Sequence, residues 1–262
     1  MFSGAETYER GMGRWSRLLA PLFIEFIGGI KDGEQVLDVG CGTGSLSFTI
    51  ARTSRASKIT GIDPSVGFVE HARANNQDPR VTFEVGDAQE LPYPDGFFDK
   101  CLALLIMSFV PDAAKAAREM RRVTRAGGVV ATAMWDNTGG MQLQHTFWDT
   151  AVALDPAAER LHQRHRPYGS AQAFSDLWRA SGLKNVDVQA LAIPLEFGSF
   201  DEVWVGHANG EGPAGAYTRS LSQDRQQALK ERLRREILGS CPDGPFTLRA
   251  KAWAVRGLVP AK

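Results

Sequence analysis

The sequence predicts an α/β fold with a doubly wound, mostly parallel sheet, and three observations carry the prediction. Between residues 34 and 136, short apolar runs alternate with helical stretches of roughly ten to fifteen residues, the rhythm of βαβ units. The runs are apolar almost without interruption, as burial on both faces of a parallel sheet requires. A glycine-rich turn, "VLDVGCGTGSL" (Val36–Leu46), directly follows the first run.

Taken in order, residues 7–27 place Trp15, Leu18, Leu19, Leu22, Phe23 and Phe26 at three- and four-residue spacings. That is a helical stripe, which Pro21 should break or kink. "EQVLDVG" is the first strand and "SLSFTIARTS" the first crossover helix. "KITGID" is the second strand, and Pro64 and Ser65 then open a helix. "VTFEVGD" and "FDKCLALLIMSF" are the third and fourth strands. A helix follows with Asp112 near its start, and Gly127 and Gly128 turn the chain into a fifth strand, "AGGVVATAMWD". Right-handed crossovers put helices on both faces. Beyond Asp136 the rhythm changes: residues 137–182 hold two helices joined by a polar link, "NVDVQALAIPLEF" is a strand, and 199–244 is again mainly helical. "FTLRAKAWAVRGLV" closes the chain as an alternating strand.

The reading is therefore one domain over 1–262. It has a helical leader (1–30), a ligand-binding core (31–136), and two helical insertions (137–182 and 199–244) that form a lid. A chain of 262 residues, 43% apolar and 23% charged, has material for such a core. Lysine plus arginine balances aspartate plus glutamate at 30 each, so no whole-chain field favours nucleic acid or an anionic membrane. The longest apolar run, Cys101 to Val110, is about half the length needed to span a bilayer. Cys41, Cys101 and Cys241 form neither a disulfide framework nor a paired zinc spacing, and no signal peptide is read. A reduced cytoplasm fits. Monomer and homodimer both remain open.

A glycine turn after a strand ordinarily binds pyrophosphate at a helix amino terminus. Gly40, Gly42 and Gly44 suit that, but Asp38 stands just before them at the strand's carboxyl end. Two like charges within about 4 Å cost on the order of several kcal/mol in a partly buried site. The same carboxylate favours a ligand that presents an ammonium, as S-adenosylmethionine does, and glycines allow close backbone approach. Asp63, about twenty residues further on, is placed to accept the hydroxyls of an adenosine ribose. Asp87 ends the third strand and can accept from an adenine amine. Three acids at successive strand ends fall along one crevice, where open α/β sheets bind ligands. A nicotinamide oxidoreductase on the same sheet is the alternative that Asp38 argues against.

With "VLDVGCGTG", "GIDPS", "GDAQELPYPDGFFD" and "RVTRAGGVV" in this order, residues 34–135 resemble the class I S-adenosylmethionine-dependent methyltransferases. The nearest type is the small-molecule branch represented by the ubiquinone and menaquinone biosynthesis enzymes. The resemblance implies a Rossmann-like sheet of seven strands whose last strand is antiparallel. It also implies a cofactor site that includes Asp38, Gly40, Cys41, Gly42, Asp63, Pro64, Ser65, Asp87, Ala88 and Leu104. One departure stands out: where many relatives carry a histidine pair after the fourth strand, this chain has Ser108 and Phe109. The Asn/Asp-Pro-Pro-aromatic signature of enzymes that methylate exocyclic amines is also absent.

Methyl transfer from a sulfonium needs a nucleophile held in line at about 3–3.5 Å and a dry site. An oxygen or carbon nucleophile can also require a base. Asp136, just past the fifth strand, is the catalytic candidate; His145, His207 and Glu211 are alternatives, and each also suits a structural role. Trp15, Trp135 and Trp148 are expected to wall a substrate cavity, and Arg14 to meet the methionine carboxylate. The expected function is methyl transfer to an oxygen or carbon of a small apolar or aromatic molecule, with no metal. A cofactor-binding protein without transfer activity is the alternative.

Overall fold

The core strands form on the apolar runs: β1 (Gln35–Val39), β2 (Lys58–Asp63), β3 (Val81–Val85), β4 (Phe98–Leu104) and β5 (Thr124–Trp135). With β6 (Lys184–Phe197) and β7 (Phe246–Leu258) they make one seven-stranded sheet in the order β3-β2-β1-β4-β5-β7-β6. These positions come from a computed structural model that describes residues 4–55, 57–208 and 212–261. β1 to β5 pair in parallel, while β7 runs antiparallel to both β5 and β6. The expected antiparallel last strand is therefore present, inserted between two earlier ones.

The leader starts with α1 (Ala5–Tyr8), passes through one π-helical stretch at Glu9–Gly13, and becomes α2 (Arg14–Phe26). Pro21 does not break α2. It lies on the exposed side, where water can satisfy the carbonyl that loses its amide partner. Leu18, counted in the apolar stripe, is 50% exposed, whereas Leu19 and Phe23 are fully buried. Each such side chain contributes roughly 1.5–3 kcal/mol by leaving water.

The crossover helices are α3 (Ser45–Thr53), α4 (Val66–Asn75) and α5 (Ala113–Val123). After β5 come α6 (Gln142–Leu154), two short 3-10 turns, and α7 (Ala171–Ala180). After β6 come α8 (Phe200–Ala208), α9 (Pro213–Ser220) and α10 (Gln223–Leu238). Two apolar clusters cover the two faces of the sheet. One joins α2 and α3 to α6, α8, α9 and α10, with Phe23, Ile50, Phe147, Trp148 and Leu233 at its centre. The other joins α5 and α7 through Met120, Phe174 and Trp178. Grouped by sequence with the insertion at 137–182, α7 is in fact a layer helix: the Trp178 Nε1–H donates to the Val130 carbonyl at 2.9 Å, docking it on β5. Among the described residues, no helix is long and apolar enough to cross a membrane.

Candidate cofactor and acceptor site

At the end of β1, Asp38 is buried, and its Oδ2 accepts from the Ser47 amide at 3.0 Å and the Ser47 hydroxyl at 2.6 Å. Its Oδ1 is also buried but has no hydrogen-bond partner. Burial pushes the carboxyl up to about 7; the two Ser47 bonds oppose the rise, and Asp63 adds to it. Asp63, at the end of β2, accepts from the Gly42 amide and the Ser65 amide, both at 2.9 Å. Burial raises its pKa as well, against the pull of those two amides. One carboxylate thus ties the glycine turn to the start of α4.

Gly40 and Gly42 both have positive φ, 69° and 53°. A Cβ on Gly40 would sit 2.6 Å from the Ile106 side chain, whereas one on Gly42 would meet nothing within 4 Å. Gly42 leaves open space beside the buried aspartate, a cradle suited to a ligand. Cys41 and Ala88 are buried, Ser65 is the N-cap residue of α4, and Pro64 is exposed. Burial pushes the Cys41 thiol far up, with Asp38 and Asp63 adding to it, so it stays neutral. Asp87 is exposed and accepts from the Gln89 amide at 2.8 Å. Leu104 ends β4 in the core, and Leu105 after it takes a left-handed φ of 65°.

The leader reaches this turn through a residue that sequence reasoning did not single out. Glu9 accepts from the Thr43 hydroxyl inside the glycine turn and pairs with Arg17. Tyr8 packs on Phe68 of α4 with ring centroids 5.4 Å apart. Arg14 turns elsewhere: Nη1 pairs with Glu202 of α8 at 2.5 Å, and its guanidinium lies 5.1 Å from the Trp15 and Phe197 rings. That pair links the leader to the lid, while the Arg14 Nε is buried without a partner.

Trp15, Trp135 and Trp148 are all buried in the same cluster. The indole N–H groups of Trp135 and Trp148 have no partner. Asp136 is also buried, with Oδ2 on Lys251 Nζ at 2.7 Å and Oδ1 accepting from the Thr138 amide at 2.9 Å and hydroxyl at 2.5 Å. Burial pushes its carboxyl up, yet Lys251 and Thr138 outweigh that and hold it below the usual range. A carboxylate so satisfied is a weak base.

Asp136, Asn137, Met141, Gln144, His145, His162 and Gln163 line a small cavity beyond β5. His145, Asp149 and His162 gather there with ligand-type atoms within 4.8 Å of one another. Hydrogen bonding accounts for the cluster without a cation. His162 Nδ1 accepts from the Arg164 amide at 3.1 Å, so Nε2 carries the proton and donates to Asp149 at 3.2 Å. The Arg164 guanidinium sits 3.3 Å from the same oxygen. His207 stacks on Phe147 at 4.4 Å and donates from Nδ1 to the Val203 carbonyl at 2.9 Å. Burial pushes its pKa down to about 4. Its Nε2 is buried without a partner. Glu211 lies outside the described residues.

Comparison with known proteins agrees with this geometry. Residues 37–132 match the family model described as a methyltransferase domain. The 2-methyl-6-phytyl-1,4-hydroquinone methyltransferase of Synechocystis sp. is 31% identical over 181 residues, 68% of this chain and 55% of that protein. The 27-O-demethylrifamycin SV methyltransferase of Amycolatopsis mediterranei is 41% identical over 108 residues, 39% of each. The chain thus spans about half or less of these relatives' lengths. Among solved structures, the YcgJ protein of Bacillus subtilis superposes with a TM-score of 0.60 at 20% identity, covering 93% of this chain and 98% of that one. The phosphoethanolamine N-methyltransferase 2 of Haemonchus contortus, in complex with S-adenosyl-L-methionine, gives 0.62 at 17% identity, covering 98% and 57%. At those identities the superpositions speak for the fold. Sheet order, the glycine turn with its acids, and the domain match define a class I S-adenosylmethionine-dependent methyltransferase. The methyltransferase domain of this chain takes S-adenosylmethionine as its cofactor.

Proposed function

We propose that the protein transfers a methyl group from S-adenosylmethionine to an oxygen or carbon of a small molecule with an apolar or aromatic body. The single observation that carries the reading is the partnerless, buried Oδ1 of Asp38, at the end of the strand that leads into the glycine turn. A buried acceptor left unpaired costs about 1–3 kcal/mol, and an ammonium satisfies it. Asp38 would hold the amino-acid end of the cofactor, Asp63 the ribose hydroxyls and Asp87 the adenine amine. The bound cofactor supplies the activated methyl carbon. The chain's own work is to orient the acceptor and exclude water, which the Trp15, Trp135 and Trp148 walls and the leader suit. The relatives' names point the same way, since one is a hydroquinone methyltransferase and another a rifamycin methyltransferase.

Asp136 serves in this reading as a positioning residue at the cavity, because its ion pair takes up its basicity. The chain acts as one domain, in a reduced cytoplasm that keeps Cys41, Cys101 and Cys241 unpaired, without nucleic acid or membrane; a homodimer is compatible. A thermal-shift titration tests the cofactor: S-adenosylhomocysteine should raise the melting temperature by mass action, and NAD should not. Stabilisation by NAD alone would sink the reading. Transfer of labelled methyl into a pool of hydroxylated aromatic compounds tests the chemistry.

A further inference from the structure

Arg166 is half-buried, with its guanidinium carbon 4.8 Å from the Phe109 ring centroid. Among the described residues, no carboxylate pairs with it, and no hydrogen bond from its side chain is found. Burial alone pushes its pKa down, with no opposing anion. Partly removed from water and without a counter-charge, the cation is held by the face of the Phe109 ring.

Its surroundings are built rather than incidental. Phe109 follows β4 and Asn137 follows β5, and the two strands pair in register up to Leu104 and Ala133. The Leu105 amide donates to the Ala133 carbonyl at 2.8 Å and prolongs that pairing. Ser108 and Asn137 therefore both lie past the carboxyl edge of the sheet, after neighbouring strands. The Ser108 hydroxyl and the Asn137 Nδ2 are both buried without partners. The segment Arg166–Gly169 joins these places: the Asn137 amide donates to the Gly169 carbonyl at 3.2 Å, and a Cβ on Gly169 would touch the Asn137 side chain. Tyr168 between them has a left-handed φ of 58°. Backbone strain of that kind costs about 1–3 kcal/mol and collects at functional sites.

We propose that Arg166, with the Ser108 hydroxyl and the Asn137 amide, forms a subsite for an anionic group on the methyl acceptor. The group is a carboxylate or a phosphate. The inference rests on the methyltransferase reading and adds to it a substrate class, an apolar or aromatic body bearing one anionic oxygen group. All three groups can donate hydrogen bonds, so a ligand that only accepts suits each of them. Arginine's planar fork matches either anion in two-point contact.

The test uses the full chain saturated with S-adenosylhomocysteine, titrated by NMR with benzoate, phenyl phosphate and the neutral benzamide. The expected result is that at least one anion binds tighter than benzamide by on the order of tenfold, the strength of a charge-assisted hydrogen bond. The tighter of the two identifies the group. Arg166→Gln should abolish the preference and Ser108→Ala reduce it, with S-adenosylhomocysteine affinity and melting temperature unchanged. Arg166→Lys, which keeps the charge, should retain part of it and serves if the glutamine variant does not fold. No preference in the wild type, or a preference that survives Arg166→Gln, overturns the proposal. Failure of the wild type to bind S-adenosylhomocysteine overturns the methyltransferase reading instead. The same three titrations without it then still decide the anion subsite.

Discussion

Asp38 and Ser47 share a two-point contact in which the serine amide and hydroxyl both donate to one carboxylate oxygen, while the other oxygen stays buried and unpaired. With its carboxyl pushed up to about 7, Asp38 titrates near neutrality in the ligand-free protein. A ligand bringing an ammonium needs the charged form. Affinity for S-adenosylhomocysteine should therefore fall as pH drops below 7, approaching tenfold per unit. The same shift means that the folded state holds this proton more tightly than the unfolded chain does. Its contribution to stability is present below about 4 and lost as pH rises through 7. Calorimetric titrations at pH 5.5, 7 and 8.5 check the first effect; a flat profile would argue against Asp38 as the ammonium partner, as would unchanged affinity in Asp38→Asn.

Asp63 binds two backbone amides across the glycine turn, so Asp63→Ala should weaken cofactor binding twice over, through the ribose contact and through a looser turn. About 1–3 kcal/mol of binding free energy is expected to be lost. Asp63→Asn keeps one acceptor oxygen and should lose less. Dissociation constants for S-adenosylhomocysteine measure both.

The two glycines that flank Cys41 should respond differently to alanine. Gly40→Ala forces a methyl into Ile106 and an unfavourable φ, and should lower stability by about 1–3 kcal/mol. Gly42→Ala has room for its methyl and should cost only about 1–2 kcal/mol of backbone preference while still impairing cofactor binding. Urea melts and ligand titrations on both variants separate folding from binding.

Lys251→Ala strands the Asp136 carboxylate, which is 3% exposed at its side chain. Because Lys251 itself is 38% exposed, a loss of about 1–3 kcal/mol is expected, less than for a fully buried pair. Adding Asp136→Asn to that variant should restore part of the stability. If the double variant is no better than the single, the ion pair is not what holds the strand end.

His207 is held neutral by burial with its pKa near 4, so the unfolded chain takes up a proton that the folded chain refuses. Stability should fall as pH drops from about 6.5 towards 4, by up to about 3 kcal/mol from this residue. His207→Phe, which keeps the stack on Phe147, should flatten that slope in denaturant melts at pH 7 and 4.5.

What the sequence disclosed follows from the range of its signals. Asp38 and Asp63 lie at the ends of β1 and β2, Gly40 and Gly42 in the turn after β1, and Asp87 two residues past β3, so local pattern and parallel-sheet topology together located them. Contacts made across the chain left no local trace. Glu9 reaching Thr43, Arg14 choosing Glu202, and Lys251 neutralising Asp136 depend on how leader, lid and last strand dock. Arg166 read as one more basic residue in a polar link, because nothing near it in sequence shows that Phe109 lies beneath it. Pro21 misled for a related reason: its effect on a helix depends on which side faces water. In α7 the error was one of layer, since a helix for the lid and a helix for the sheet carry the same periodicity.

The position of β7 bears on how the molecule assembles. β5 and β6 share no hydrogen bonds; each pairs with β7, the strand that comes latest in the chain. Strands β1 to β5 pair at sequence separations no greater than 64 residues, against 117 to 129 for β5 with β7. β6 has no strand edge to pair with until β7 arrives and bridges the gap. Assembly should thus proceed in two stages: an early nucleus that already holds the glycine turn and its acids, and a late closure that is slow because its partners are distant in sequence.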